Sequence, residues 1–129
     1  MRNAAQAYGT VARQVASPRE LEATLLLKAA SRLQAVQDGW DRTKPELDDA
    51  LRYNRKLWTI FVTSITTPDH PLPLEVRQNV ANLGLFVLNQ TISILADPQP
   101  GRLAPLISIN RELAAGLRGA APPESPGLA

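Results

Sequence analysis

The stretch "LRYNRKLWTIF" (residues 51–61) sets an asparagine in the middle of a run of apolar residues with helical spacing. The stretch "LISINRELAAGL" (106–117) repeats the motif Asn-Arg-x-Leu in the same setting. On a helix that turns 100° per residue, Asn54 lies within roughly 20° of apolar neighbours, and so does Asn110. Each stretch therefore predicts a helix with a polar residue at the centre of its apolar face.

The two asparagines have two interpretations. A buried amide without hydrogen bonds costs about 1–3 kcal/mol. In the first interpretation Asn54 and Asn110 bond to neighbouring groups and fix the register of the helices. In the second, their face is only partly covered and a partner helix completes it. Arg55 and Arg111 lie at the edge of each face, where a guanidinium can pair with a carboxylate, lie over an aromatic ring or stay in water.

Two capping signals mark the starts of helices. "SPRE" (17–20) has the form of a capping box with proline at the first helical position. It precedes a helix of about five turns with apolar residues at steps of three and four: Leu21, Leu25, Ala29, Leu33, Val36 and Trp40. "DRTKPE" (41–46) offers a second signal through Thr43 and Glu46. The following helix has its core positions at Leu47, Leu51, Leu57, Trp58, Phe61 and Ile65.

Two more helices follow the proline-rich loop "TTPDHPLP" (66–73), which no helix crosses. The first runs from about Pro73 to Ala96 and is apolar around most of its circumference. That pattern is typical of a helix in the centre of a bundle. The second runs from about Leu103 to Leu117.

The N-terminal stretch predicts a weaker helix. Tyr8, Val11 and Val15 follow Ala4 at helical spacing, but Gly9 interrupts them. This helix is either a staple of the bundle or a mobile binding arm. Since no segment shows strand alternation, we predict an all-α fold: a helical bundle of four main helices plus a weaker N-terminal helix. The domain covers residues 1–118, and 119–129 form a disordered proline-rich tail.

The composition narrows the class of protein. The chain has 129 residues, a net charge of +2 and no cysteine. The length predicts one domain, and the absence of cysteine excludes disulfides and thiolate metal sites. The basic residues form no block, so direct nucleic-acid binding is not indicated. The start lacks an apolar signal-peptide core, and the longest apolar run is too short to span a bilayer. We expect a soluble cytoplasmic protein that does not insert into membranes.

No residues suggest catalysis. His70 is the only histidine, in the loop sequence "PDHP", and no second histidine or cysteine could complete a metal site with it. Asp48 and Asp49 are adjacent, so on a helix they point about 100° apart. No phosphate-binding glycine motif or nucleophile elbow is present. We therefore predict no enzymatic activity, no cofactor and no metal.

The aromatic residues mostly fall on predicted core positions. Trp58, Phe61 and Phe86 are interpreted as packing residues. Trp40 lies near a helix end, where it either seals the bundle or anchors a partner. Tyr8 belongs to the weak N-terminal helix.

Four segments together resemble the flagellar biosynthesis regulator FlaF family: "SPRELEATLLLKAASRL", "LRYNRKLW", "LPLEVRQNVANLGLFVLNQT" and "LAPLISINRELAAGL". The resemblance covers roughly residues 3–118. Many relatives have tryptophan where this chain has Phe86, which keeps an aromatic residue at that position. The family motif maps onto Asn54, Arg55, Leu57, Trp58, Asn110 and Arg111.

The resemblance implies a cytoplasmic protein without enzymatic activity that is needed for flagellin production and export. It implies flagellin as partner, in a chaperone-like role linking secretion to flagellin translation, and an association with the translational regulator FlbT. The alternative is an RNA-binding regulator of flagellin mRNA translation, although RNA recognition usually needs stacking aromatics beside a basic patch. The candidate partner-binding residues are Tyr8, Val11, Val15, Trp40, Arg55 and Arg111.

Overall fold

The computed structural model describes residues 18–119. The predicted N-terminal helix with Tyr8, Val11 and Val15 lies outside the described residues, as does the predicted N-cap Ser17. The same holds for residues 120–129 of the predicted tail.

Four long helices make up most of the described chain: α1 (Pro18–Asp38), α3 (Leu47–Ile65), α4 (Leu74–Ala96) and α5 (Ala104–Leu117). A short helix, α2 (Trp40–Thr43), and a 3-10 turn (Lys44–Glu46) connect α1 to α3, and a second 3-10 turn (Pro100–Leu103) leads into α5. Residues 18–119 contain no β-strand. The predicted all-α fold with four main helices is confirmed.

The junction between α1 and α3 differs from the prediction of a second capping box. The Thr43 hydroxyl donates to the carbonyl of Val36 at 2.9 Å, so it satisfies the end of α1 instead of the start of α3. Glu46 precedes α3 without a side-chain capping bond. Thr43 lies seven residues after Val36, across the break at Gly39, so its hydroxyl reaches a carbonyl that the end of α1 leaves free.

The core lies between α1, α3 and α5, with the most extensive contact between α1 and α5. The predicted α3 positions are buried, except that Leu57 is half-buried against the core. The first predicted apolar position of α1 is wrong as a core position, because Leu21 is 53% exposed. Buried aliphatic and aromatic side chains include Leu26, Leu33, Leu51, Trp58, Phe61, Ile65, Leu103, Leu106 and Ile107.

Helix α4 lies at the side of the bundle, which corrects the prediction of a central helix. It packs mainly against α3 and makes only minor contacts with α5. Its buried residues are therefore confined to one face: Val80, Gly84, Val87, Thr91 and Ile94. Phe86 is 43% exposed, so its predicted role in core packing is wrong. The helix is apolar on sides that no other described element covers.

Gly84 sets the distance between α3 and α4. A Cβ atom at this position would lie 2.6 Å from Cγ2 of Val62 and 3.6 Å from Cε3 of Trp58. The first distance is far below van der Waals contact, so only glycine allows α4 to approach α3 this closely.

The C-terminal half of α4 is held by the turn that precedes α5. Arg102 donates to the hydroxyl of Ser93 at 2.8 Å, and the amide of Gln90 donates to the carbonyl of Arg102 at 3.0 Å. An ion pair between Arg102 and Asp97 at 3.3 Å lies beside them. These bonds position α4 without covering its outer face.

Candidate functional site

The two Asn-Arg-x-Leu motifs meet in the core through hydrogen bonds. The indole N–H of Trp58 donates to Oδ1 of Asn110 at 2.9 Å. Nδ2 of Asn110 donates to Oδ1 of Asn54 at 2.7 Å and to the carbonyl of Leu26 at 3.3 Å. Both asparagines are completely buried. This amide network links α1, α3 and α5.

The tryptophan sets the direction of the whole network. An indole N–H can only donate, so Asn110 must present its oxygen to Trp58 and its amino group to Asn54. Asn54 must then accept, and its own Nδ2 is buried without a hydrogen-bond partner. The asparagines lie in the core of the folded chain. A partly covered Asn face that a partner would complete does not fit this burial.

The outer surface of α4 carries an apolar stripe. We define the α4 stripe as seven residues whose spacing alternates between four and three: Leu74, Gln78, Ala81, Leu85, Leu88, Ile92 and Leu95. Leu74, Leu85 and Ile92 are 60%, 62% and 65% exposed. A regular 3.5-residue repeat of this kind is the seam along which helices pair in coiled coils. The sequence already shows this repeat, but the apolar composition of the helix predicted that the repeat would be buried in the bundle.

A groove runs beside the middle of the α4 stripe. We define the α3–α4 groove by Trp58, Thr59, Val62 and Thr63 on α3 and by Ala81, Gly84, Leu85 and Leu88 on α4. Its volume is about 340 Å³, and most of its lining is apolar. Trp58, 1% exposed, lies at its floor while its N–H bonds the buried Asn110. The motif tryptophan therefore connects the amide network with the surface groove.

Helix α4 itself is uncharged along most of the stripe. Between Gln78 and Ala96 the helix contains no Asp, Glu, Lys or Arg, and its exposed polar residues include Asn79, Asn82 and Asn89. A partner on this surface would therefore be selected by shape and apolar contact, with little contribution from charge.

The predicted partner-binding residues lie on different parts of the bundle. Arg55 is exposed and lines a depression of about 170 Å³ with Leu95, at one end of the α4 stripe. Arg111 is exposed and donates to Oε1 of Gln34 at 3.3 Å, which places it against α1. Trp40 is half-buried and packs against the core. The structure brings Arg55 close to the α4 stripe and leaves Arg111 beside α1.

A second surface feature surrounds Tyr53. The guanidinium carbon of Arg32 lies 4.6 Å from the centre of the Tyr53 ring, and Nζ of Lys28 lies 5.8 Å from it. Both distances are within the range of cation–π attraction. The sequence pattern does not single out Tyr53, because the two cations come from α1 and the ring from α3.

The loop after α3 contains the only histidine. The backbone N–H of Leu72 donates to Nδ1 of His70 at 3.2 Å, which requires that nitrogen to be unprotonated. Burial lowers the pKa of His70, and the positive charges of Arg77 and Arg19 lower this pKa further. The neighbouring Glu22 has its pKa raised by burial, which the charge of Arg19 partly offsets.

Within residues 18–119, no group of three or more His, Asp or Glu side chains could hold a metal ion. One helix of this range, α4, is long and apolar enough to cross a membrane by length and composition alone. About 28% of its most apolar window is buried in the bundle.

The fold and the surface define a class: a small helical bundle that presents an apolar, uncharged groove suited to another helix. The family model of flagellar protein FlaF matches residues 4–117, and the chain belongs to that family. This confirms the family resemblance of the four sequence segments. No curated protein and no solved structure matches the chain.

Proposed function

We propose that this chain is a flagellin-binding chaperone that couples flagellin synthesis to export during flagellum assembly. It acts in the cytoplasm, without catalysis or a cofactor, and associates functionally with the translational regulator FlbT. The observation that carries the proposal is the exposed α4 stripe in a member of a flagellar protein family. A flagellin helix is the proposed occupant of the stripe and the α3–α4 groove.

The stripe matches the chemistry of such a partner. Unassembled export substrates present amphipathic segments, and these bind by laying an apolar helical face into a groove. The stripe is about 32 Å long at 1.5 Å per residue. Covering the exposed parts of Leu74, Leu85 and Ile92 would contribute about 1–2 kcal/mol for each side chain. Together the three side chains would contribute about 3–6 kcal/mol, so the remaining stripe residues and the α3–α4 groove must supply the rest of what association costs.

The test uses flagellin and two matched variants of this chain. Leu85→Asp places a charge in the middle of the stripe, and Leu21→Asp places one at a comparably exposed leucine of α1. We expect Leu85→Asp to abolish co-purification with flagellin and Leu21→Asp to retain it. Equal binding by both variants would show that flagellin binds elsewhere. Flagellin truncated at either end would then identify the segment that is bound.

Salt dependence separates this proposal from direct RNA binding. Because α4 carries no charge between Gln78 and Ala96, flagellin affinity should change little between low and moderate salt. The cations around Tyr53 favour the alternative of an RNA-binding regulator of flagellin mRNA translation, since an aromatic ring beside basic side chains suits a single-stranded base. That alternative predicts binding of flagellin leader RNA that weakens steeply with salt and is lost in Arg32→Ala. Unaffected RNA binding in Arg32→Ala would exclude the Tyr53 surface.

A further inference from the structure

The α4 stripe has a repeat that can pair with itself. We propose that, in the absence of another partner, a second copy of this chain covers it through antiparallel pairing of the two α4 helices around a two-fold axis. The axis passes at the level of Leu83, midway between Ala81 and Leu85.

The spacing is self-complementary. In the proposed pairing each residue faces one in the second copy such that the two residue numbers add to 166. Leu74 then faces Ile92, Gln78 faces Leu88 and Ala81 faces Leu85 of the second copy, and the two-fold axis repeats each layer. In coiled-coil terms, each of these pairs joins an a position to a d position. The smallest residue, Ala81, pairs with the larger Leu85. Side chains of unequal size fill such layers without voids.

The charge distribution allows two identical surfaces to meet. A two-fold axis brings a charge next to its own copy where the residue lies near the axis, and this repulsion disfavours pairing. Residues 78–96 carry no charge. Glu75 and Arg77 lie at the end of the stripe, level with Thr91 and Asn89 of the second copy, and neither of these is charged. No like-charge contact arises between the paired α4 residues 74–92.

The size of the surface is close to what a specific complex requires. The paired residues 74–92 extend about 27 Å, and α4 together with the adjoining face of α3 is about two helix diameters wide, which gives a face of roughly 600 Å². Specific interfaces bury about 800 Å² on each partner. Each α4 would lie in the α3–α4 groove of the other copy, so the two α3–α4 pairs would form a four-helix bundle between the chains.

The dimer and the proposed flagellin complex would exclude each other, a consequence that rests on the proposed function. A self-associated form would keep the exposed leucines of the stripe out of water until flagellin is made. Self-association itself does not depend on that function and is measured on the isolated protein.

The first test is the mass of the full chain in solution. We expect light scattering after size exclusion, at a chain concentration of about 50 µM, to give about twice the 14.0 kDa of one chain. Leu85→Asp should give the single-chain mass and Leu21→Asp the doubled mass, with circular dichroism checking that both remain folded. A wild-type monomer, or a Leu85→Asp dimer, would overturn the proposal.

The second test establishes orientation and does not require a disruptive variant. Since the chain lacks cysteine, a single introduced cysteine can be cross-linked by a short bis-maleimide without background. In the proposed pairing Asn82→Cys lies next to its copy, whereas Asn89→Cys lies about 18 Å along the axis from its copy. We expect cross-linked dimer from Asn82→Cys alone. Equal cross-linking of both variants would indicate parallel helices and refute the proposed arrangement.

Other occupants give distinct outcomes that also overturn the dimer. If the N-terminal segment covers the stripe, the chain is monomeric and Val11→Asp increases binding of an apolar dye. If a lipid surface covers it, the monomer floats with vesicles, and Leu85→Asp abolishes flotation. If flagellin alone covers it, the monomer loses only flagellin binding on Leu85→Asp.

Discussion

Replacing Asn110 with leucine should destabilise the protein far more than the same replacement of Asn54. Asn110→Leu removes the acceptor of the Trp58 indole N–H and the donor to Oδ1 of Asn54. Two buried polar groups lose their partners, and each costs about 1–3 kcal/mol. We expect the free energy of unfolding to fall by about 2–6 kcal/mol.

Asn54→Leu has a different effect on the same network. Asn110 loses one acceptor but keeps the carbonyl of Leu26 at 3.3 Å. The substitution also removes the buried Nδ2 of Asn54, which has no partner, and replaces it with an apolar group of similar size. Removing an unsatisfied polar group offsets the lost bond. We therefore expect a change within about 1 kcal/mol.

The assay is urea and thermal unfolding followed by circular dichroism. A loss of 1 kcal/mol lowers the Tm of a domain of this size by about 3–5 °C, so Asn110→Leu should lower it by about 6–30 °C. The double variant Asn54→Leu/Asn110→Leu no longer contains the Asn54 oxygen that Asn110→Leu alone leaves unpaired. The double variant should therefore be more stable than Asn110→Leu alone. Asn79→Leu, at an exposed position of α4, is the control. Equal costs for the two single variants, or additive costs in the double variant, would refute the proposed direction of the network.

Three further predictions concern the loop, the helix contact and the aromatic residues. The His70 ring should titrate below its ordinary pKa of 6.5 in an NMR experiment, where its signals are unique. The folded chain then binds fewer protons than the unfolded chain, so the free energy of unfolding should fall as the pH drops through 6.5. His70→Asn should remove this pH dependence, and a measured pKa at or above 6.5 would contradict the expected shift. Gly84→Ala should lower the free energy of unfolding by about 1–2 kcal/mol, because the added Cβ atom collides with Val62. Adding Val62→Ala to the same chain should restore the stability. Unchanged stability of Gly84→Ala alone would mean that α3 and α4 can move apart at little cost. Phe61→Ala should cost about 3–5 kcal/mol in denaturant unfolding, whereas Phe86→Ala should change stability by less than about 1 kcal/mol; a large loss at Phe86 would place that ring in the core.

Helical periodicity determined much of the fold from the sequence alone. The apolar positions of residues 47–65 recur every three or four residues, and five of the six predicted core residues there are buried. Asn54 and Asn110 were placed at the centres of their apolar faces by the same construction, and both are completely buried. Periodicity predicts these features because a side chain's direction on a helix depends only on its number along the chain.

Periodicity could not tell how the two asparagines would be paired. Asn110 bonds Trp58 and Asn54 across 52 and 56 residues of sequence, and which oxygen faces which nitrogen follows from the donor-only indole. That choice depends on how α3 and α5 are placed relative to each other. Two helices with equivalent patterns therefore have unequal roles in the core.

The position of α4 was decided only by the tertiary structure. The sequence of α4 shows that most of its circumference is apolar, which predicted a central helix. In the fold, α1 packs against both α5 and α3, and α4 contacts mainly α3. Leu85 and Ile92 consequently remain exposed. An apolar side chain gains free energy from any cover that removes it from water, so its presence in the sequence does not specify which neighbour provides that cover.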